Sequence, residues 1–181
     1  MSLQNDEKWN IKGSWRIDVH NEDGSLADSR SGTNVMCNKG MWLIAQFFAS
    51  SLFVGSGASQ LTPTPIGNIQ LALGTSSVAP QPTDSFLNAE YSNGSFIARS
   101  VLTGTLVTPA TQSLSVAPAF SFFGMLTFPP IAWTCYEGGV FLNGDSPPAI
   151  NTGAILDHFL VSPPVTQNTN QTLTINVTFQ L

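Results

Sequence analysis

Residues 171–181 read Gln171-Thr-Leu-Thr-Ile-Asn-Val-Thr-Phe-Gln-Leu181, and this stretch decides the fold. Its odd positions, Leu173, Ile175, Val177, Phe179 and Leu181, are apolar, whereas Thr172, Thr174, Asn176, Thr178 and Gln180 form the opposite face. A period of two with β-branched residues on both faces belongs to a half-buried strand. Such a strand must bury its apolar face against a second layer, so the rest of the chain has to supply one.

Working back from it, residues 56–161 break into short apolar segments separated by Pro, Gly and Asn. Ile69–Leu73, Phe96–Ala98, Val101–Val107, Phe120–Phe128, Ile131–Phe141 and Ala154–Val161 read as strands, and Asn143–Pro148 as a loop. Near the other end, Ser14-Trp-Arg-Ile-Asp-Val-His20 alternates strictly, with Trp15, Ile17 and Val19 on the apolar face. Asn21-Glu-Asp-Gly24 supplies turn chemistry, and a returning strand is expected from Leu26 to Val35. His20 sits on the polar face beside that turn and reads as solvated.

One helix is expected, about residues 39–53. Asn38 is its cap, and Met41, Ile44, Phe48 and Leu52 recur at helical spacing. Trp42, Leu43 and Phe47 widen the apolar arc, which predicts burial on more than one side. The fold class is therefore mainly β: an antiparallel β-sandwich or jelly-roll-like barrel with one helix. Residues 1–181 form a single β-rich domain, with 1–13 as an N-terminal arm. At this length one core suffices without metal or disulfide.

Charge is distributed unevenly. From Gly40 to Leu181 only Asp84, Glu90, Arg99, Glu137, Asp145 and Asp157 are charged, against roughly a quarter of residues in an ordinary domain. Uncharged polar side chains cost less to desolvate than Lys or Glu, so this composition suits a surface covered by neighbouring subunits. The competing reading is a surface β-domain with a Ser/Thr/Asn-rich exterior. Asp84, Glu90 and Arg99 are expected to pair with one another and hold a loop. The net charge of −5 and the mixed signs of the first 39 residues argue against a nucleic-acid partner.

Cys37 and Cys135 read as buried thiols, although a bridge between them stays open at this stage. Met41–Val54 is too short and too interrupted to span a bilayer, which predicts no membrane partner. The polar, acidic N-terminus lacks an export signature, so synthesis in a cytoplasm is expected and the Asn-x-Ser/Thr matches are read as chance. Catalytic motifs are missing: there is no P-loop, dinucleotide fingerprint, zinc-helix motif or nucleophile elbow. Asp157 and His158 are adjacent on a strand and so point to opposite faces. The expectation is a non-enzyme without catalytic residues, cofactor or metal.

Three blocks, taken in order, resemble small tailed-bacteriophage virion structural proteins. Asn34-Val-Met-Cys-Asn-Lys-Gly40 is similar to their N-x-V-x-N-x-G opening before a helix. Leu71-Ala-Leu-Gly-Thr75 with Pro80, Pro82, Asp84, Leu87, Glu90 and Arg99 is similar to a G-[ST]…P…D…L…E…R block. Ser162-Pro-Pro-Val-Thr166 and Thr172–Phe179 resemble their P-V-T and T-L-T ending. The segment 106–148 departs from that pattern, with Phe, Pro and Gly in place of charged turns. The resemblance implies a virion component, either a capsid cement or decoration subunit or a neck, tail or fibre-associated part. It further implies partners in the major capsid protein and other virion proteins, self-association as a trimer, and a virion location after synthesis in a bacterial host.

Interface residues follow from that implication. Trp9 precedes the first clear strand among polar neighbours and is an expected anchor, because aromatics dominate hot spots. Trp15, on an apolar strand face, is at least as well explained by the domain's own core. Leu173, Ile175, Val177 and Phe179 belong either to a central strand or to an edge that pairs with another subunit. A carbohydrate-binding adhesive sandwich is the alternative of another class, with Trp133 and Tyr136 as its stacking platform.

Overall fold

A computed structural model describes residues 11–52, 68–93, 96–107, 119–126, 132–145 and 147–180. Among the described residues, ten strands and one helix run β1(Lys12–His20), β2(Leu26–Thr33), β3(Val35–Met36), α1(Asn38–Leu52), β4(Asn68–Gly74), β5(Arg99–Val101), β6(Thr103–Val107), β7(Ala119–Leu126), β8(Trp133–Gly144), β9(Ala154–Gln167) and β10(Thr172–Gln180). They form two five-stranded antiparallel sheets. Sheet A has the order β2-β1-β10-β7-β6, and sheet B the order β3-β9-β8-β4-β5. Among the described residues each sheet has two edge strands, which is the architecture of a β-sandwich.

Alternation along β1 and β10 builds one wall of the core. Trp15 pairs with Val177, Ile17 with Ile175 and Val19 with Leu173. All six are buried, and they share a single apolar cluster with Leu71, Leu73, Val140, Leu142, Leu156, Phe159 and Val161 of sheet B. Trp15 stacks on Phe159 across the gap, with ring centroids 5.2 Å apart. The hairpin between β1 and β2 closes as Asn21–Gly24 dictates: Gly24 takes φ +82°, and its N–H donates to the Asn21 carbonyl at 2.9 Å.

Two of the crossings between sheets fall at a single residue inside an expected strand. The expected return strand Leu26–Val35 is broken at Asn34: β2 stays in sheet A and β3 joins sheet B. Asn34 holds that corner through its N–H to the Gly13 carbonyl (3.1 Å) and its side-chain amide to Asp157. Likewise Val101–Val107 is interrupted at Leu102, buried between β5 of sheet B and β6 of sheet A. A continuous apolar run cannot reveal such a corner, because both halves alternate normally.

Sheet B is covered on both faces. Away from sheet A, Cys37, Ala72, Leu87, Phe141 and Ile155 form a second apolar cluster. It lies under the loop that follows β4 and takes in Cys37 from the turn before α1, whereas Met41, Leu43 and Ile44 of α1 pack against the first cluster. Gly40 lets α1 approach: a Cβ there would fall 2.3 Å from the Leu156 Cα. The first intrahelical bond runs from the Met41 N–H to the Cys37 carbonyl, so Asn38 is the first helical residue and not the cap. Trp42 is 60% exposed, which corrects the expectation of burial on several sides at that position. The side chains of Phe47, Phe48 and Leu52 lie outside the described set.

Two further strand expectations change. Phe96–Ala98 is not a strand: Ile97 makes an isolated bridge with Ser92, and the Ala98 carbonyl accepts the Leu73 N–H at 2.9 Å. β9 continues past Val161 through Pro163 and Pro164 to Gln167. The ladder to β8 skips from Leu160 opposite Glu137 to Val165 opposite Cys135. The prolines therefore sit where no N–H is needed for that ladder.

Candidate functional site

The few charges of the body converge on the outer face of sheet B. The loop from Thr75 to Glu90, between β4 and β5, crosses that face as a strap. Its ends are fixed by backbone bonds, Thr75 N–H to the Ala89 carbonyl and Tyr91 N–H to the Leu73 carbonyl, each 2.9 Å. Its Pro82 carbonyl accepts the first N–H of α1, from Asn38, at 2.8 Å. Leu87 plugs into the second apolar cluster.

Side chains then bolt it down at two places. At one, His158 on β9 reaches Asp84 Oδ2 of the strap with Nδ1 (2.7 Å) and Glu137 Oε2 of β8 with Nε2 (2.9 Å). Glu137 also accepts the strap's Ala89 N–H (2.7 Å) and Asn88 N–H (3.1 Å). His158 and Glu137 are fully buried, and the Asp84 side chain is 19% exposed. An ionised carboxylate only accepts, so while Asp84 and Glu137 are ionised the ring donates from both nitrogens. Burial pulls the His158 pKa down, but its bonds to Glu137 and Asp84 more than reverse this and leave it above the ordinary value.

At the other place Arg99 of β5 grips Glu90 through Nε–Oε1 (2.7 Å) and Nη2–Oε2 (2.8 Å). Its Nη1 donates to Gln70 Oε1 (3.1 Å) and to the Thr152 carbonyl (2.8 Å), and the guanidinium lies 4.2 Å over the Phe141 ring. Asp157, next to His158 in sequence, turns the other way and accepts the Val140 N–H at 2.6 Å and the Asn34 amide. Burial pushes its pKa up to about 7 against those bonds. The adjacent pair thus works on separate networks.

The remaining charge lies elsewhere. Asp145 is exposed, and the other described charges sit on β1, β2, their turn and the start of α1. The outer face of sheet A carries Ser14, Arg16, Asp18, Thr174, Asn176 and Thr178. A shallow groove of about 410 Å³ crosses it, lined by Ser14, Trp15, Arg16, Ser31, Gly32, Asn176 and Thr178. On the edge strand β2, Asp28 and Arg30 pair in register with Val19 and Ile17 and with each other as an ion pair. A charged pair at that position blunts edge-to-edge association.

The expected interface residues fall as follows. Trp9 lies outside the described residues. Leu173, Ile175, Val177 and Phe179 are buried in the domain's own core, and β10 lies between β1 and β7. They are therefore unavailable to another subunit: the strand is central, and only its Thr/Asn face is open. Trp15 is likewise a core residue.

Trp133 is buried, stacks on Tyr91 at 4.8 Å and donates Nε1–H to Gln167 (2.9 Å), so it offers no exposed platform with the half-buried Tyr136. Cys37 and Cys135 are both buried free thiols, with burial pushing Cys37 up to about 12 and Cys135 higher still. His20 is half-buried and meets Thr174 Oγ1 at 3.3 Å. The pairing of Glu90 with Arg99 follows the sequence expectation. The bridge from Asp84 through His158 to Glu137 had no sequence signal, since its members are 74 and 21 residues apart.

No helix among the described residues is long and apolar enough to cross a membrane. No family model, curated protein or solved structure matches this chain.

Proposed function

We propose that this chain is a non-enzymatic structural subunit of a bacteriophage particle, a capsid cement or decoration protein that self-associates, as a trimer, and covers the junctions of the major capsid protein. The observation carrying this reading is the placement of charge. Of the six charged side chains between Gly40 and Leu181, Asp145 alone is exposed, and the other five are drawn into the strap network or the Asn34 corner. The described exterior of that segment therefore offers hydroxyl, amide and apolar groups, which are cheaper to desolvate against a neighbour than ions. The order of the three sequence blocks supports the virion assignment within that class.

The partner-facing surface in this reading is the open face of sheet A, around Asn176 and Thr178, in place of the buried side of β10. Quantitative mass spectrometry of purified particles tests it. Copies near-stoichiometric with the major capsid protein support the cement role, and a few copies per particle move the chain to the neck, tail or fibres. Absence from particles overturns the proposal. A carbohydrate-binding adhesive is the second reading, favoured by the hydroxyl- and amide-lined groove on the same face. Saturable binding of host surface glycans that Asn176→Ala abolishes would establish it instead.

A further inference from the structure

His158 is a buried side chain whose two nitrogens bind two different segments, and the virion reading makes no use of it. Asp84 belongs to the strap and Glu137 to the sheet. The arrangement holds together only while both nitrogens carry protons. With one proton gone, a ring lone pair faces a carboxylate oxygen less than 3 Å away and a bond becomes a repulsion. Glu137 cannot retreat, because it is fully buried and also receives the Asn88 and Ala89 N–H groups. Asp84 can, because it lies at the solvent side and its other described bond is to Gln81 N–H within the strap itself.

We propose that His158 is a proton-operated bolt: the imidazolium locks the strap onto the outer face of sheet B, and loss of one ring proton releases the strap around Asp84 and Leu87. The release uncovers the cluster of Ala72, Phe141 and Ile155, together with Cys37, whose Sγ lies 3.9 Å from the strap's Gln81 carbonyl.

The other groups facing this spot leave the assignment with His158. From β9, Asp157 points to the opposite side, toward Asn34 and Val140. From the turn before α1, Cys37 is neutral with its pKa near 12. From α1, Lys39 lies over the strap's Phe86, 5.0 Å from the ring centroid, and from β5 Arg99 holds Glu90 at the strap's far end. His158 has the raised value expected of a locked imidazolium, so the strap is closed below that value and opens as pH rises through it.

The test is amide hydrogen exchange of the full chain at about pH 6 and about pH 9, each rate divided by the intrinsic rate at that pH. Protection of peptides containing Asn88 and Ala89 is expected to fall about tenfold or more at the higher pH, while β10 peptides hold theirs. His158→Gln should show the low protection at both values. Should that variant fail to fold, Asp84→Asn removes only the strap's carboxylate and should give the same loss of dependence.

The chain has two histidines, so imidazole nitrogen NMR with His20→Gln for assignment reads the ring directly. Two protonated nitrogens on His158 at about pH 6 are expected, and a single one overturns the proposal. Strap protection that does not change with pH, or a pH dependence that survives both substitutions, overturns it as well.

Discussion

Arg99 and Glu90 meet in a two-pronged ion pair with neither side chain more than 2% exposed. The pair ties β5 to the end of the strap, and Glu90 Oε2 also accepts the Asn151 N–H at 3.1 Å. A buried pair of this kind costs much to break from one side, because the survivor stays buried and uncompensated. Glu90→Gln is expected to destabilise the fold by about 3–5 kcal/mol in urea unfolding. The double variant Arg99→Met/Glu90→Leu should lose less than Arg99→Met with Glu90 retained. Equal losses would show that charge compensation is not what the pair provides.

Trp15 separates packing from hydrogen bonding. Its ring stacks on Phe159, yet its Nε1 is buried with no hydrogen-bond partner among the described residues. Trp15→Ala removes the packing and should cost about 3–5 kcal/mol. Trp15→Phe keeps most of the ring and also removes an unsatisfied donor, so its cost should stay near or below about 1 kcal/mol. Thermal melts of the two variants side by side check the difference.

The two faces of β10 should respond differently. Ile175→Ala empties a core site and is expected to cost about 2–5 kcal/mol of stability. Asn176→Lys places a charge on the open face of sheet A, where surface substitutions change stability by no more than about 0.5 kcal/mol. If that face is the partner surface, Asn176→Lys weakens self-association or particle binding at unchanged melting temperature. Sedimentation velocity and particle pull-down, paired with melts, distinguish the two effects.

Stability should fall as pH rises. Asp157 has its folded pKa raised to about 7 from 3.8, so the folded state holds its proton more tightly than the unfolded chain does. Its contribution is complete below about pH 4 and is lost as pH climbs toward 7 and above. His158, also raised, adds loss in the same direction above its ordinary value. At Asp18 partial burial raises the pKa, but the bonds to Ser29 and Arg16 together outweigh it and leave it lowered, so this group works the opposite way, only in strong acid. Melting temperature is therefore expected to peak in mildly acidic solution and decline toward pH 8, with a shallower decline in Asp157→Asn.

Cys37 and Cys135 should resist thiol reagents at pH 7 and react fully in denaturant, because burial and a raised pKa both suppress the thiolate. Native-state mass spectrometry before and after reduction should show the same mass. A mass difference would mean a bridge that the fold does not contain.

Local patterns made the strands legible. Five alternations in residues 172–181 and three in 14–20 specified β10 and β1, and the Asn21–Gly24 turn specified their hairpin neighbour. Asn34 and Leu102 were not legible as corners, because moving a strand from one sheet to the other leaves its own alternation intact. Trp42 was misplaced because helical spacing identifies an apolar arc without showing how wide the partner is; α1 meets sheet B at Gly40, and its Trp42 side stays open. The Leu173–Phe179 row reads identically for a central or an edge strand, and neighbours 47 to 59 residues away in β7 and 154 to 166 away in β1 decide between them.

By itself the sequence determined that this is a mainly β chain with one helix and a body nearly without charge. Both follow from side-chain type and spacing, which local physics reads directly. Tertiary structure alone decided where the few charges go: Asp84, Glu137 and His158 come from three separate segments, and a buried ion is tolerated only where folding delivers its partners. The same holds for β10, whose apolar face became core because β1 and β7 flank it and sheet B covers it.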